Sequence, residues 1–185
     1  MNADRTPLPR TNRLQALRAS LLGVVMTAFL CTTAQANPYQ EVQRLSSSGQ
    51  HGKALAQADA YLSEKPRDPQ MRFLRGVTLT EIGRGAEAEE IFRQLTREFP
   101  ELPEPYNNLA VLLAARQDLD QARVLLEAAL RNDPSYATAH ENLGDVLAQL
   151  AARSYAKALQ IEPGRSSNRR KIGQLQQMLS LGHAP

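Results

Sequence analysis

The apolar positions of this chain fall into pairs of short helical stripes divided by polar breaks. The clearest pair lies between positions 106 and 130. Tyr106, Leu109, Ala110, Leu112 and Leu113 make one stripe at the spacing of an amphipathic helix. Arg116-Gln117-Asp118 interrupts it, with Asp118 placed to cap a second helix. The stripe of that second helix runs through Ala122, Leu125, Leu126, Ala129 and Leu130. Asn132-Asp133-Pro134 ends it, because proline cannot continue a helix and turns its predecessor away from helical geometry.

The same pattern returns with a fixed step. Pro66, Pro100 and Pro134 are 34 residues apart, and so are Gly76, Ala110 and Gly144. Ala54, Ala88 and Ala122 repeat the step, as do Leu45, Leu79 and Leu113. Four ladders with one period make a helical repeat the primary prediction. Ala, Leu, Glu, Gln and Arg dominate the chain, all good helix formers, while aromatic residues make up 5%.

On these residues the chain resembles the tetratricopeptide repeat, a helix–turn–helix with small side chains at set positions. Units 35–68, 69–102 and 103–136 carry the likeness. The second shows Gly76, Leu79, Gly83, Ala88, Phe92 and Pro100; the third shows Tyr106, Leu109, Ala110, Leu113, Ala122 and Pro134. The first departs from it with Val42 where a small residue is usual. The resemblance implies an all-α, short right-handed solenoid of antiparallel helix pairs over 37–163. Gly76 and Ala88 are expected where the two helices of a hairpin come closest.

A fourth unit begins on schedule at Ala137, with Leu143, Gly144 and Leu147 in place. Counted back from Pro163, its second helix holds Ala151, Tyr155 and Ala158. Gly144 and Ala151 are 7 apart, whereas Gly76 and Ala88 are 12 apart, so the five residues of the turn are gone. Positions 145–162 contain no Gly, Pro or Asn. The expectation is one fused helix of about 25 residues, roughly 37 Å long; the alternative is a hairpin with a strained turn. After the polar break Arg165–Asn168, a helix with Ile172, Leu175, Met178 and Leu179 is expected to cap the open end, making 164–185 a capping helix and a frayed tail.

The first 36 residues read differently. Arg5, Arg10, Arg13 and Arg18 stand against one acid, Asp4; an apolar run follows from Leu21 to Cys31, then Ala34-Gln35-Ala36. This is the layout of a signal peptide cleaved after Ala36. A membrane anchor needs about 20 apolar residues, and the run has 11. A lipoprotein would acylate Cys31, but Leu30 precedes it where a small residue is expected. Export implies a periplasmic or secreted protein that meets the membrane only transiently, through that segment. Cleavage removes four of 22 basic and one of 19 acidic residues, leaving 18 of each. The basic balance therefore belongs to the leader and gives no reason to expect nucleic acid. It also removes the only cysteine, and with it any disulfide or thiol chemistry.

Little in the sequence points to catalysis. His51, His140 and His183 are isolated, and the His140-Glu141 pair lacks a second His at 144, which is Gly. No phosphate-cradling loop occurs; Gly83-Arg84-Gly85 belongs to a helix–helix turn. Neither a cofactor, a metal nor a small-molecule substrate is expected. By the resemblance, the first helix of each pair lines a groove that grips a peptide or a helix of a protein partner. That places Phe73, Val77, Thr80 and Glu81 inward from the second unit, Glu104, Asn107, Asn108, Val111 and Ala115 from the third, and Glu141, Asn142, Asp145 and Gln149 from the fourth. The Asn side chains can hold an extended backbone or bridge neighbouring helices. The carboxylate-gripping mode of the family needs bases, and Glu104, Thr138 and Asn142 are not bases. From Glu98 to Asp145 there are nine acids and three bases, so a neutral or basic ligand is expected there. A periplasmic adaptor or assembly factor is the leading reading; an accessory or targeting subunit of an envelope protease or cell-wall enzyme is the other.

Overall fold

The structure, a computed structural model, describes residues 37–181. The expected signal peptide and the last four residues of the tail lie outside them. The described residues form eight helices: α1 Pro38–Ser47, α2 His51–Glu64, α3 Pro69–Glu81, α4 Gly85–Glu98, α5 Pro103–Ala115, α6 Leu119–Asn132, α7 Ala137–Ile161 and α8 Ser166–Leu181. Pro38, Pro69 and Pro103 open α1, α3 and α5, where a missing N–H costs nothing. The Asn37 and Asp68 side chains cap the first turns of α1 and α3 by accepting from the Tyr39 and Met71 amides, at 3.0 and 2.8 Å.

The turns inside the three hairpins are copies of one another. Gly49, Gly83 and Gln117 are 34 apart and adopt φ of 74°, 76° and 66°. After each, a backbone amide returns to a leucine carbonyl: Gln50 to Leu45 at 2.8 Å, Arg84 to Leu79 at 2.9 Å, Asp118 to Leu113 at 3.0 Å. This is the left-handed stop that satisfies the last carbonyls of a helix and reverses the chain. Asp118 stands just ahead of α6 as expected, yet its side chain makes no capping hydrogen bond. The turn is set by the backbone, not by that carboxylate.

Small residues let the hairpins close. A Cβ on Gly76 would come within 2.7 Å of the Phe92 ring, and Ala54, Ala88 and Ala122 are all fully buried. Two apolar clusters result. Val42, Leu45, Ala54, Ala58, Met71 and Leu74 form the first. The second runs from Leu79 and Phe92 through Leu109 and Leu126 to Val146. Each large side chain buried in them contributes about 1.5–3 kcal/mol. Polar ties cross between helices outside the clusters. Arg72 grips both Glu98 carboxylate oxygens, at 2.7 and 3.1 Å, and the Asn132 amide donates to the Pro100 carbonyl at 2.7 Å.

The fused helix is present. α7 runs unbroken for 25 residues, about 37 Å. The fourth rung of the turn ladder falls on Ala151, in the middle of it. With five residues missing and a strong helix former at the stop position, nothing breaks the helix. Its first half packs on α5 and α6 as the earlier first helices do. Beyond Arg153, which pairs with Asp120 at the start of α6 (2.7 Å), it overhangs the stack. α8 folds back along this overhang, with Lys171 Nζ 4.8 Å from the centre of the Tyr155 ring. Ile172, Leu175 and Leu179 are half-buried, whereas Met178 is exposed, outside the stripe in which the spacing placed it.

Candidate partner-binding groove

One side of the stack is built by α1, α3, α5 and the first half of α7. Along it α1 packs directly on α3, and α5 on α7. Each pair leaves a hollow. The first, about 380 Å³, has a floor of Val42, Phe73, Leu74 and Val77. The second, about 270 Å³, lies over Ala110, Val111, Ala114 and Val146, with Asn142, Asp145 and Gln149 on its rim. The one base lining either hollow, Arg44, is held by Glu41 at 2.7 Å.

Phe73, Val77 and Glu81 line the first hollow, and Val111, Ala115, Asn142, Asp145 and Gln149 the second. Val111 is 42% exposed, an apolar side chain left open beside an acid. Glu104 and Glu141 are exposed on the same helices. Asn107 is a correction: it is 4% exposed, and its Oδ1 accepts from the Asn142 amide at 2.8 Å. This pair bridges α5 to α7 instead of offering both amides to a ligand. Asn108 is half-buried and donates to the Glu104 carbonyl at 3.0 Å, so it meets a ligand only by giving up that bond. Thr80 likewise donates to its own helix, to the Gly76 carbonyl at 3.0 Å.

Sequence reasoning assigned no groove residue to the first unit, yet Gln43, Ser46 and Ser47 line the first hollow. The 34-residue ladder carried the signal, since Gln43 and Ser47 stand one period before Val77 and Glu81. Glu81 is less available than expected. Its carboxylate accepts from Ser46 Oγ, and His51 Nδ1 stands 3.3 Å from Oε2 without an aligned hydrogen bond. Ser46, Glu81 and His51 thus meet, but in the wrong order for nucleophilic chemistry. The carboxylate stands between hydroxyl and imidazole, so the imidazole is not in place to take the hydroxyl proton.

A second polar cluster joins the first two units. The Tyr39 and Tyr61 hydroxyls both donate to Asp68 Oδ2, at 2.7 and 3.2 Å, and lie 2.9 Å apart. Hydrogen bonding to Tyr61 and Asp68 pushes the Tyr39 hydroxyl well above the usual phenol range. Burial alone would raise the Asp68 carboxyl; the bonds from Tyr39, the Met71 amide and Tyr61 outweigh it and hold the group below its ordinary value. The cluster caps α3 and staples α1 to it. Among the described residues no group of three or more His, Cys, Asp or Glu side chains could hold a metal ion. None of the described helices is long and apolar enough to cross a membrane.

Models of the family described as tetratricopeptide repeat match residues 39–103 and 79–143. The chain carries tetratricopeptide repeats. A probable biofilm formation methyltransferase, WspC of Pseudomonas aeruginosa, is 31% identical over 93 residues, which is half of this chain and 22% of that protein. The chain spans about a fifth of the length of the curated relatives it matches. Among solved structures, TTC0263, a thermophilic TPR protein of Thermus thermophilus, is 26% identical with a TM-score of 0.59, covering 79% of this chain and 82% of that one. The first TPR of Spaghetti (RPAP3), bound to HSP90 peptide SRMEEVD, aligns with a TM-score of 0.57 at 18% identity. That match covers 62% of this chain and 90% of that one. The hairpins, the turn ladder and the Gly76–Phe92 contact are thus the local chemistry of TPR units.

Proposed function

We propose that this TPR chain is a non-catalytic interaction module that holds a peptide or helix of a protein partner along α1, α3, α5 and α7. The observation that carries the reading is the pair of open hollows on that side, each with an apolar floor and an acid at its rim. Phe73, Val77 and Val111 would anchor apolar side chains. Glu104, Glu141 and Asp145 favour a neutral or basic ligand through complementary charge. An acidic peptide such as the one held by the RPAP3 repeat fits this surface poorly, because neither hollow offers an unpaired base.

The signal-like segment 1–36 supports placing this module in the bacterial periplasm, as an adaptor or assembly factor for envelope proteins. N-terminal sequencing of the protein recovered from a periplasmic extract is expected to start at Asn37; a start at Met1 in the cytosol ends that part of the reading. The stretch shared with the methyltransferase relatives favours a second reading. A repeat block of this kind is compatible with service as the accessory or targeting subunit of an enzyme, here an envelope protease or cell-wall enzyme.

Photo-crosslinking in cells tests the groove. A crosslinker at Val77 or Val111 should capture one discrete partner, and one at Val124, exposed on α6, should not. Equal capture from all three sites would remove the groove assignment.

A further inference from the structure

We propose that the groove takes one extended peptide with two unlike ends. Apolar side chains sit between α1 and α3, and Lys or Arg side chains sit between α5 and α7, about five residues away along the peptide. The pairing rests on the groove function proposed above and fixes the order and spacing of its ligand.

The two hollows differ in charge. Arg44 and Glu81 are the charged residues lining the first. Arg44 donates to both Glu41 oxygens, at 2.9 and 2.7 Å. Glu81 accepts from Ser46 Oγ and has His51 Nδ1 at 3.3 Å. Both charges are occupied, so Phe73 and Val77 select apolar side chains by covering them from water. The second hollow has Asp145 half-buried on its lining and no base. The carboxylates of Glu104, Glu141 and Asp145 have no hydrogen bond or ion pair among the described residues. The bases of this stretch are engaged or distant. Arg116 goes to Glu89 at 2.9 Å and Arg123 to Glu127 at 3.3 Å, while Arg131 lies in the last turn of α6, on the other side of the stack. A half-buried carboxylate with no partner bears a desolvation cost that a ligand cation offsets. Val111, on the same lining and 42% exposed, suits the methylene stem of Lys or Arg.

The hollows take side chains, with the ligand backbone outside them. The 380 Å³ of the larger one is a cube about 7 Å on edge, whereas a helix is about 10–12 Å across. Asn142 favours an extended backbone. Its Nδ2 donates to Asn107, and its Oδ1 takes no hydrogen bond among the described residues. An extended segment has N–H groups to give that oxygen; the interior of a helix has none to spare. The hollows lie two helices apart in the layer, so roughly 16–20 Å separates them. An extended chain covers that in about five or six residues, and a helix would need about eleven to thirteen.

The test uses the full chain and fluorescein-labelled synthetic peptides, read by anisotropy. Each peptide carries a Phe-Leu block and a Lys-Arg block, in both orders, joined by Gly/Ser spacers of about one, five or eleven residues. In one of the two orders the middle spacer is expected to bind tightest, by roughly tenfold over the shortest. Glu-Glu in place of Lys-Arg should abolish binding, and salt should weaken the Lys-Arg peptide more than a Ser-Ser version. Glu141→Gln with Asp145→Asn should weaken the Lys-Arg peptide about tenfold and leave the Ser-Ser version as before. Both changes keep the side-chain shape, and unchanged helical circular dichroism verifies the fold. Equal binding at every spacer, an optimum at the longest, or a Glu-Glu peptide held as well as the Lys-Arg one would each overturn the proposal. If crosslinkers at Val77 and Val111 still capture one discrete partner in cells, the groove stands and only this ligand order falls; if they do not, both fall.

Discussion

Gly76 and Gly144 hold the same place in the repeat, two periods apart, and face opposite surroundings. A Cβ at 76 would strike the Phe92 ring, while a Cβ at 144 would meet nothing within 4 Å. The difference lies in the next segment of chain. After α3 the chain reverses through a left-handed residue and lays α4 across Gly76; after the first half of α7 it does not reverse, and Gly144 is left open. The glycine belongs to the repeat pattern, but its physical reason is the helix that covers it. Where the turn is lost, the reason goes with it.

Substitutions can break that comparison or sharpen it. The largest effect is expected from Phe92→Ala, which empties the site pressed against Gly76. Loss of a fully buried ring costs about 3–5 kcal/mol, readable as a lower urea midpoint. Gly76→Ala should cost about 1–3 kcal/mol, because the ring must move to admit a methyl group. Gly144→Ala is the mirror experiment and should stabilise by about 0.5–1 kcal/mol, since alanine is the better residue in an open helix. Two glycine sites with the same sign of response would remove the distinction drawn between them.

Between these extremes lies Asp68→Ala, which removes the cap of α3 and the acceptor of two tyrosines, for about 1–2 kcal/mol. Its pH dependence has a definite sign. A carboxylate held low in the folded chain contributes fully above its ordinary unfolded value, and the contribution fades as pH falls through the lower folded value. The unsubstituted chain should therefore lose stability in acid more steeply than the Asp68→Ala variant, as followed by circular dichroism. The smallest effect is expected at Gln117. Glycine suits its φ of 66° better than glutamine does, so Gln117→Gly should stabilise by about 0.5 kcal/mol.

The fold was legible because its cause is periodic. Proline, small residues and leucine recur with the hairpin, and both the length of α7 and its continuity come from counting the residues missing between Gly144 and Pro163. The groove was legible only in outline. Spacing places Asn107, Asn108 and Asn142 on α5 and α7, yet it cannot tell an amide that faces solvent from one that finds its partner in the next unit. Asn107 and Asn142 satisfy each other across 35 positions of sequence. Likewise, spacing puts Glu81 on α3, but Ser46 and His51 reach its carboxylate from the preceding hairpin. Pairings between units escape a reading made within one.

The residue at each reversal also sets how long the solenoid can grow. Gly49, Gly83 and Gln117 each return the chain so that another hairpin can be laid alongside, and the helix through Ala151 withdraws that permission. Duplicating a hairpin upstream of residue 137 would lengthen the array in register. The same insertion downstream would ride out on the overhang, detached from the array it was copied from.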